Sequence, residues 1–214
     1  LSAMLQGLQA LPRASAALPF TRLFYGRPSE YLWYDDQGDA HTILQAEGGE
    51  QGDPLMPALF ALGQHPALQE VQGQLRDGEA LFAFLDDVYA ICQPERARPI
   101  FDMLAFSLER HCGIGINLGK TRVWNRGGVE PDGFQSMGTP DQPVWTGGAQ
   151  TQPERRGMKV LGTPLGSPEY VAQQLHEIRT EHETLLQALQ ALPELQSSWL
   201  LLSLCASTRA NYYL

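Results

Sequence analysis

The spacing of apolar residues predicts helices separated by short pairs of strands. Leucines recur at helical intervals over residues 2–11, and the same periodicity covers residues 94–112 and 171–192. A second apolar helix follows Pro193, because proline cannot continue the preceding one. These last two helices predict a helical hairpin, and the alternative for the long apolar seam is a coiled coil.

Two hairpins are predicted where short apolar stretches flank clusters of turn residues. Residues 31–34 pair with 41–45 around an acidic turn that contains glycine. Residues 81–85 pair with 88–92 around two adjacent aspartates. Strand pairs alternating with helices in this way indicate an α+β protein.

The remaining segments give weaker predictions. Asp53 is predicted to cap a helix whose first turn tolerates Pro54. The buried stripe of this helix is predicted to be Leu55, Leu59 and Leu62. Residues 121–124 and 158–162 have the composition of strands. The Gly- and Pro-rich segment 126–157 predicts an irregular, mobile insertion.

Composition and charge narrow the classes of protein. The 214 residues are 43% hydrophobic and 18% charged, which excludes a disordered tail and predicts one domain or slightly more. No stretch approaches the ~18 to 20 apolar residues of a membrane span, and no secretory signal is expected. Because the chain starts without Met inside a helix, we interpret it as a fragment of a longer protein.

Net charge and cysteine usage add two expectations. The net charge of -9 argues against a protein that grips a phosphate backbone by bulk charge. The three cysteines lie far apart in the sequence, which excludes a disulfide framework or a zinc ribbon. We therefore expect an intracellular protein, nuclear or cytoplasmic, without a membrane or a disulfide-linked partner.

Two patterns that resemble known motifs lack the required spacing. The segment 115–121 has three residues between its glycines where a phosphate-binding loop needs four, and it follows a predicted helix instead of a strand. His176 and His182 do not have the i, i+4 spacing that places two zinc ligands on one helix face. The hypothesis of a nucleotide-binding protein with a phosphate-binding loop therefore rests only on an imperfect match.

The aspartate pair in the second hairpin is the strongest candidate for chemistry. Asp86 and Asp87 are adjacent carboxylates that repel each other beside apolar strands. A solvated turn is the simple interpretation of such a pair. The apolar flanks favour a second one, in which a divalent cation relieves the repulsion and takes part in phosphoryl transfer.

Four sequence blocks occur in a defined order along nearly the whole chain. They are Gln51-Gly52-Asp53-Pro54-Leu55-Met56-Pro57, Phe84-Leu85-Asp86-Asp87, Ile116-Asn117-Leu118-Gly119-Lys120-Thr121, and Lys159-Val160-Leu161-Gly162-Thr163-Pro164-Leu165-Gly166. In this order and spacing the chain resembles a reverse transcriptase of the non-LTR retrotransposon type. That resemblance implies an RNA-directed DNA polymerase.

The resemblance implies a fold and a set of partners. Residues 1–166 would form a polymerase palm, an antiparallel sheet with helices on one face, and residues 167–214 would begin a helical thumb. The partners would be an RNA template, a DNA primer and dNTPs, and the cofactor would be Mg²⁺ or Mn²⁺. The first catalytic aspartate of the family would lie upstream of Leu1, so this chain would hold an incomplete metal site.

The resemblance also implies roles for individual residues. Asp86 and Asp87 would bind the metal ions, and Lys120 would protonate the leaving pyrophosphate. The other implied site residues are Gln51, Gly52 and Pro54 at the nucleotide and template, and Leu161 and Gly162 at the primer end.

Two residues depart from the family pattern. Met56 replaces the usual Ser, and Leu85 replaces the usual Ala. These departures keep open a second interpretation, in which the chain is a decayed palm that persists as a folded scaffold without activity.

Overall fold

A computed structural model of the chain describes residues 1–45, 49, 52–139 and 141–211. The chain divides into two units, Leu1–Ile116 and Asn117–Leu214. The elements of the first unit are α1 (Ser2–Ala10), α2 (Leu18–Tyr25), β1 (Glu30–Tyr34), β2 (Ala40–Leu44), α3 (Met56–Gln72), β3 (Ala80–Phe84), β4 (Asp87–Ile91) and α4 (Pro94–Cys112). Those of the second are β5 (Gly157–Val160), β6 (Thr163–Gly166), α5 (Pro168–Gln190), α6 (Leu195–Leu201) and α7 (Ser207–Asn211).

The strands form three separate two-stranded antiparallel sheets within the described residues: β1–β2, β3–β4 and β5–β6. The mixed α and β composition agrees with the predicted α+β class. The single antiparallel sheet expected for a palm is not formed by these strands, and the assignment of residues 1–166 to a palm and 167–214 to a thumb stays a prediction.

Helix and hairpin predictions agree closely with the structure where local signals are strong. α4 spans the predicted residues and ends at Gly113, which has a left-handed φ of 65° and therefore suits a C-terminal cap. Helix α3 differs, since it begins at Met56, and the side chain of Asp53 accepts a hydrogen bond from the backbone N–H of Leu55 (2.8 Å). Of the predicted helix stripe, Leu59 is buried whereas Leu55 is exposed.

The core of the first unit lies between α3 and α4. Ala67 and Val71 of α3 pack with Leu104 and Leu108 of α4, and all four side chains are buried. Burial of such apolar surface is the main contribution to folding free energy. Helix α3 is therefore fixed along its C-terminal half by α4.

Helix α1 crosses α3 at a point where neither helix has room for a side chain. A Cβ atom on Gly7 would overlap the backbone of Leu62, and one on Gly63 would lie 3.2 Å from the backbone nitrogen of Met4. Met4 and Leu8 are buried on either side of this crossing. Glycine is required here because it lets the two backbones approach closely.

The second unit combines the β5–β6 hairpin with the long helix α5. Gly157 and Gly166 are paired across the hairpin, and the ring of Tyr170 from the first turn of α5 lies against both glycines. Helix α6 and the helical segment Leu202–Ala206 that follows it both contact α5, and the hydroxyl of Ser198 donates to the carbonyl of Leu189 near the end of α5 (3.2 Å). This packing of neighbouring helices confirms the predicted helical hairpin.

The segment 126–157 is irregular, as predicted, but it is not an unpacked loop. Phe134, Val144 and Trp145 within it are all buried, with at most 9% of each residue exposed. The predicted strand at 121–124 is absent, and Val123 forms only an isolated bridge to Trp145. These buried side chains therefore hold the segment in place, although its Gly- and Pro-rich sequence does not predict their burial.

None of the helices in the described part of the chain combines the length and apolarity needed to cross a bilayer.

Replacement of Gly7 by Ala should destabilise the first unit, although alanine is the better helix former. The added methyl group overlaps the Leu62 backbone, and such overpacking costs about 1 to 3 kcal/mol, which outweighs the about 1 kcal/mol gained in helix propensity. Denaturant unfolding of Gly7→Ala measures the loss. Gly115→Ala is the control, since a Cβ there would meet no atom within 4 Å. Equal midpoints for both variants would show that the helices do not meet at Gly7.

Candidate functional site

The hairpin formed by β3 and β4 places one candidate carboxylate, Asp86, in its turn and the other, Asp87, directly after it. Phe84 pairs with Asp87, so the two-residue turn consists of Leu85 and Asp86. The tip therefore lies one residue earlier than the aspartate pair expected from the sequence, and Asp87 is the first residue of β4. Leu85 has a positive φ of 55°, which is unfavourable for a residue with a Cβ atom.

The two faces of this hairpin differ in environment. Leu81 and Val88 share one face and pack against the core between α3 and α4. The opposite face carries Phe82 and Phe84, which are 57% and 60% exposed, and Asp87 lies on this open face by register. The hairpin is thus anchored through one face while its acidic turn and its other face remain accessible.

The carboxylates of Asp86 and Asp87 are both exposed. Among the described residues neither side chain has a hydrogen-bond or ion-pair partner, and no group of three or more His, Cys, Asp or Glu could hold a metal. Mg²⁺ is usually bound by one or two carboxylates together with waters and substrate phosphates. The donor set at the turn therefore fits a cation that is only partly coordinated by protein.

A partly buried ion pair closes the base of the hairpin. Glu79 directly precedes β3, Arg96 lies in the first turn of α4, and the Arg96 Nε donates to Glu79 Oε1 (2.8 Å). Their side chains are only 4% and 14% exposed. The hydrogen bonds from Arg96 are the main cause that lowers the pKa of Glu79 below its usual range, and the backbone N–H of Arg76 adds to them. The pair joins the two ends of the hairpin.

A single side chain from α3 reaches the turn itself. Gln64 is buried, with 4% of the residue exposed, and its Nε2 donates a 2.7 Å hydrogen bond to the carbonyl oxygen of Leu85. This residue was missed from the sequence. A signal was present, because Gln64 lies three and seven residues before the buried Ala67 and Val71, which places all three on one face of a helix.

A side-chain hydrogen bond joins the described part of the predicted nucleotide and template loop to α2. The hydroxyl of Tyr25 donates to Asp53 Oδ2 (2.6 Å), which is the main cause that lowers the pKa of Asp53. Gly52 has a positive φ of 96° on one side of Asp53, and Pro54 lies on the other. Gln51 lies outside the described residues, so its predicted role has no structural description.

The remaining predicted site residues belong to the second unit. Lys120 is exposed and ends a turn in which its N–H donates to the carbonyl of Asn117 (3.1 Å). Leu161 and Gly162 form the two-residue turn of the β5–β6 hairpin, with positive φ values of 48° and 83°. Positive φ at both positions is typical of a type I′ turn. Their roles at the pyrophosphate and primer stay predictions.

The segment 115–121 and a cleft in the second unit do not define a ligand site. α4 precedes the segment 115–121, and no helix follows it within residues 117–139, so the strand–loop–helix order of a phosphate-binding loop is absent there. A polar cleft in the second unit is lined by Arg122 and Arg155 but also by Glu154 and Glu177. These opposite charges do not select one class of ligand.

Comparison with known proteins gives one distant relationship. The chain is similar to the retrotransposable element SLACS 132 kDa protein of Trypanosoma brucei gambiense, with 26% identity over 193 residues. The aligned region covers 90% of this chain but only 15% of that protein. No protein-family model matches the chain, and no solved structure matches it. The chain is therefore distantly related in sequence to a retrotransposon protein and spans a small part of it.

Loss of the Arg96 side chain should destabilise the first unit strongly. Arg96→Ala leaves the partly buried Glu79 carboxylate with the Arg76 backbone N–H but without its charged partner, and loss of that charge is unfavourable where water is partly excluded. The expected result is a clear fall in the denaturant midpoint at pH 7. Arg98→Ala in the same helix is the matched control, because Arg98 pairs with Asp102 on the surface, where ion pairs contribute little. Comparable midpoints for the two variants would contradict a supporting role for Glu79.

Removal of the Tyr25 hydroxyl should weaken the loop in a pH-dependent way. The folded-state pKa of Asp53 lies below its unfolded value of 3.8, so this bond stabilises the protein above that pH and is lost as pH falls through the folded pKa. Tyr25→Phe should therefore unfold at lower denaturant than the parent at pH 7, and the gap should narrow below about pH 4. Tyr34→Phe, on the exposed β1–β2 hairpin, is the control. A gap that is independent of pH would exclude the contribution of the Asp53 carboxylate.

Proposed function

We propose that this chain is part of an RNA-directed DNA polymerase of the retrotransposon type, and that the β3–β4 hairpin supplies metal-binding carboxylates. The observation that carries the proposal is a pair of exposed carboxylates, Asp86 in the β3–β4 turn and Asp87 directly after it, on a hairpin held at its base by Glu79 and Arg96. Both carboxylates are exposed, so a cation can reach them, and Mg²⁺ is usually bound by one or two carboxylates together with waters and substrate phosphates.

The proposed reaction joins a nucleotide to a primer. The primer 3′ hydroxyl gives up its proton to water, and its oxygen bonds to the α-phosphorus of a dNTP. The bond from that phosphorus to the oxygen bridging to the β-phosphate breaks, and pyrophosphate leaves. Asp86 and Asp87 would hold Mg²⁺ or Mn²⁺, which supplies positive charge beside the phosphate oxygens. Lys120 Nζ would donate a proton to the leaving pyrophosphate, where negative charge develops.

The other predicted residues would bind the substrates. Gly52 and Pro54, together with Gln51, would contact the incoming nucleotide and the RNA template. Leu161 and Gly162 would support the end of the DNA primer, since a tight turn presents backbone groups in a fixed orientation. The distant similarity to a retrotransposon protein supports this proposal at the level of the element type.

A second candidate is a folded palm remnant without activity. It is favoured by the absence, among the described residues, of any cluster of three metal-ligating side chains. The departures at Met56 and Leu85 point in the same direction. The two candidates differ in a measurable property, because only the first requires a divalent cation at Asp86.

Substitution of Asp86 tests the proposal in the 214-residue chain. Mn²⁺ binding, followed by the electron paramagnetic resonance signal of the free ion, should be lost in Asp86→Ala and nearly lost in Asp86→Asn, since a neutral amide is a poor ligand. The loss of Mn²⁺ affinity should be larger than the about 10- to 100-fold loss that is typical when a residue that only orients a metal ligand is replaced. Unchanged unfolding midpoints would show that the fold survives, as expected for an exposed side chain.

Asp77→Ala is the matched control, because Asp77 is an exposed aspartate in the turn that precedes β3. Primer extension on an RNA template should then be measured with a longer chain that includes the natural residues before Leu1. We expect extension to be abolished by Asp86→Ala and retained by Asp77→Ala. Full extension by the Asp86→Ala protein would refute the polymerase assignment of this hairpin.

A further inference from the structure

We propose that Gln64 is a positioning residue that holds Leu85 in its left-handed conformation and thereby sets the orientation of Asp86. The conformational part of this inference concerns the turn alone, whereas its consequence for metal binding rests on the function proposed above.

The first observation is the burial of a polar side chain on an apolar helix face. Gln64 is 4% exposed, on the same side of α3 as the core residues Ala67 and Val71. A buried amide is unfavourable unless it is hydrogen-bonded. Its Nε2 donates to the carbonyl of Leu85 at 2.7 Å, so the bond to the turn offsets the loss of hydration.

The second observation is the conformation of the residue that receives this bond. Leu85 has a φ of 55°, in a region that residues with a Cβ atom rarely occupy. Its side chain is 38% exposed, so apolar packing holds it only in part. Strained backbone persists where surrounding contacts determine it, and the Gln64 amide is a contact of this kind.

The supports at the two ends of the hairpin act on different residues. Glu79 and Arg96 fix the base, and Leu81 and Val88 fix the strands against the core. None of these contacts involves the two turn residues. Loss of the Gln64 donor should therefore leave the strands paired and alter only the turn.

The bond also joins two regions that the proposed reaction uses together. Helix α3 begins at Met56, directly after the loop that contains Gly52 and Pro54, and Gln64 lies in the middle of that helix. Through Gln64, the same helix that follows the nucleotide loop is hydrogen-bonded to the turn that carries Asp86. Substrate binding and metal binding would then share one support.

The test compares Gln64→Met, which keeps the side-chain volume and removes the donor, with the unsubstituted chain. Nuclear magnetic resonance measures the Leu85 φ through its amide–Hα coupling and the intraresidue amide–Hα contact. We expect Gln64→Met to lose the signature of positive φ at Leu85 while the cross-strand contacts of β3 and β4 persist. Mn²⁺ binding should weaken about 10- to 100-fold, the range typical of a group that orients a metal ligand.

A second substitution separates positioning from simple packing. Glycine adopts positive φ without strain, so Leu85→Gly should make the turn independent of Gln64. The double variant Gln64→Met, Leu85→Gly should recover most of the Mn²⁺ binding lost in Gln64→Met. A side chain that only fills space would give no such rescue. Gln69→Met is the control, because Gln69 is exposed on the same helix.

The outcomes distinguish this inference from the proposed function. Retention of positive φ at Leu85 in Gln64→Met would overturn the inference, whatever the metal measurements show. Absence of Mn²⁺ binding to the unsubstituted chain would overturn the proposed function, and the Leu85 measurement would still decide the role of Gln64. Metal binding that is equal in Gln64→Met and the parent would likewise refute the positioning of Asp86.

Discussion

Helix α3 packs against α1 through its N-terminal half and against α4 through its C-terminal half, and the first unit depends on both contacts. At the first contact, Gly7 and Gly63 let the two backbones meet. At the second, Ala67 and Val71 interlock with leucines of α4. Small residues at these points let α1 and α4 both pack closely on α3, which is therefore the common frame for the groups attached to it.

Polar bonds attach the candidate site to this frame. The Glu79–Arg96 pair closes the hairpin base, the Gln64 amide reaches its turn, and the Tyr25 hydroxyl holds the loop that precedes α3. Each bond fixes a segment that apolar packing alone would leave free to pivot, because hydrogen bonds are directional whereas apolar contact is not. Stability and positioning thus come from different interactions, so single substitutions can separate them.

The sequence predicts the helices and hairpins of the fold but not the hydrogen bonds that join them. The bounds of α4 follow from local signals, since Pro94 suits its first turn and Gly113 its left-handed cap. The bond from Gln64 to Leu85 joins residues 21 positions apart, and no local pattern specifies it. The same reason explains why three separate hairpins are found among the described residues and not the expected single sheet. Strand periodicity predicts which residues pair within a hairpin but not whether the hairpins pair with one another. The turn position differed by one residue because Leu85 adopts a conformation that its type disfavours.

The charge of the chain bears on how this hairpin could approach a phosphate. The net charge of the chain is -9. The three arginines of α4 already form ion pairs: Arg96 with Glu79, Arg98 with Asp102, and Arg110 with Glu70. Asp86 and Asp87 therefore face solvent without a neutralising partner among the described side chains. A polyanion would be repelled from such a turn. A divalent cation held by the two carboxylates would make the local charge positive. The ion that would assist the proposed reaction would then also be needed for the hairpin to bind nucleic acid.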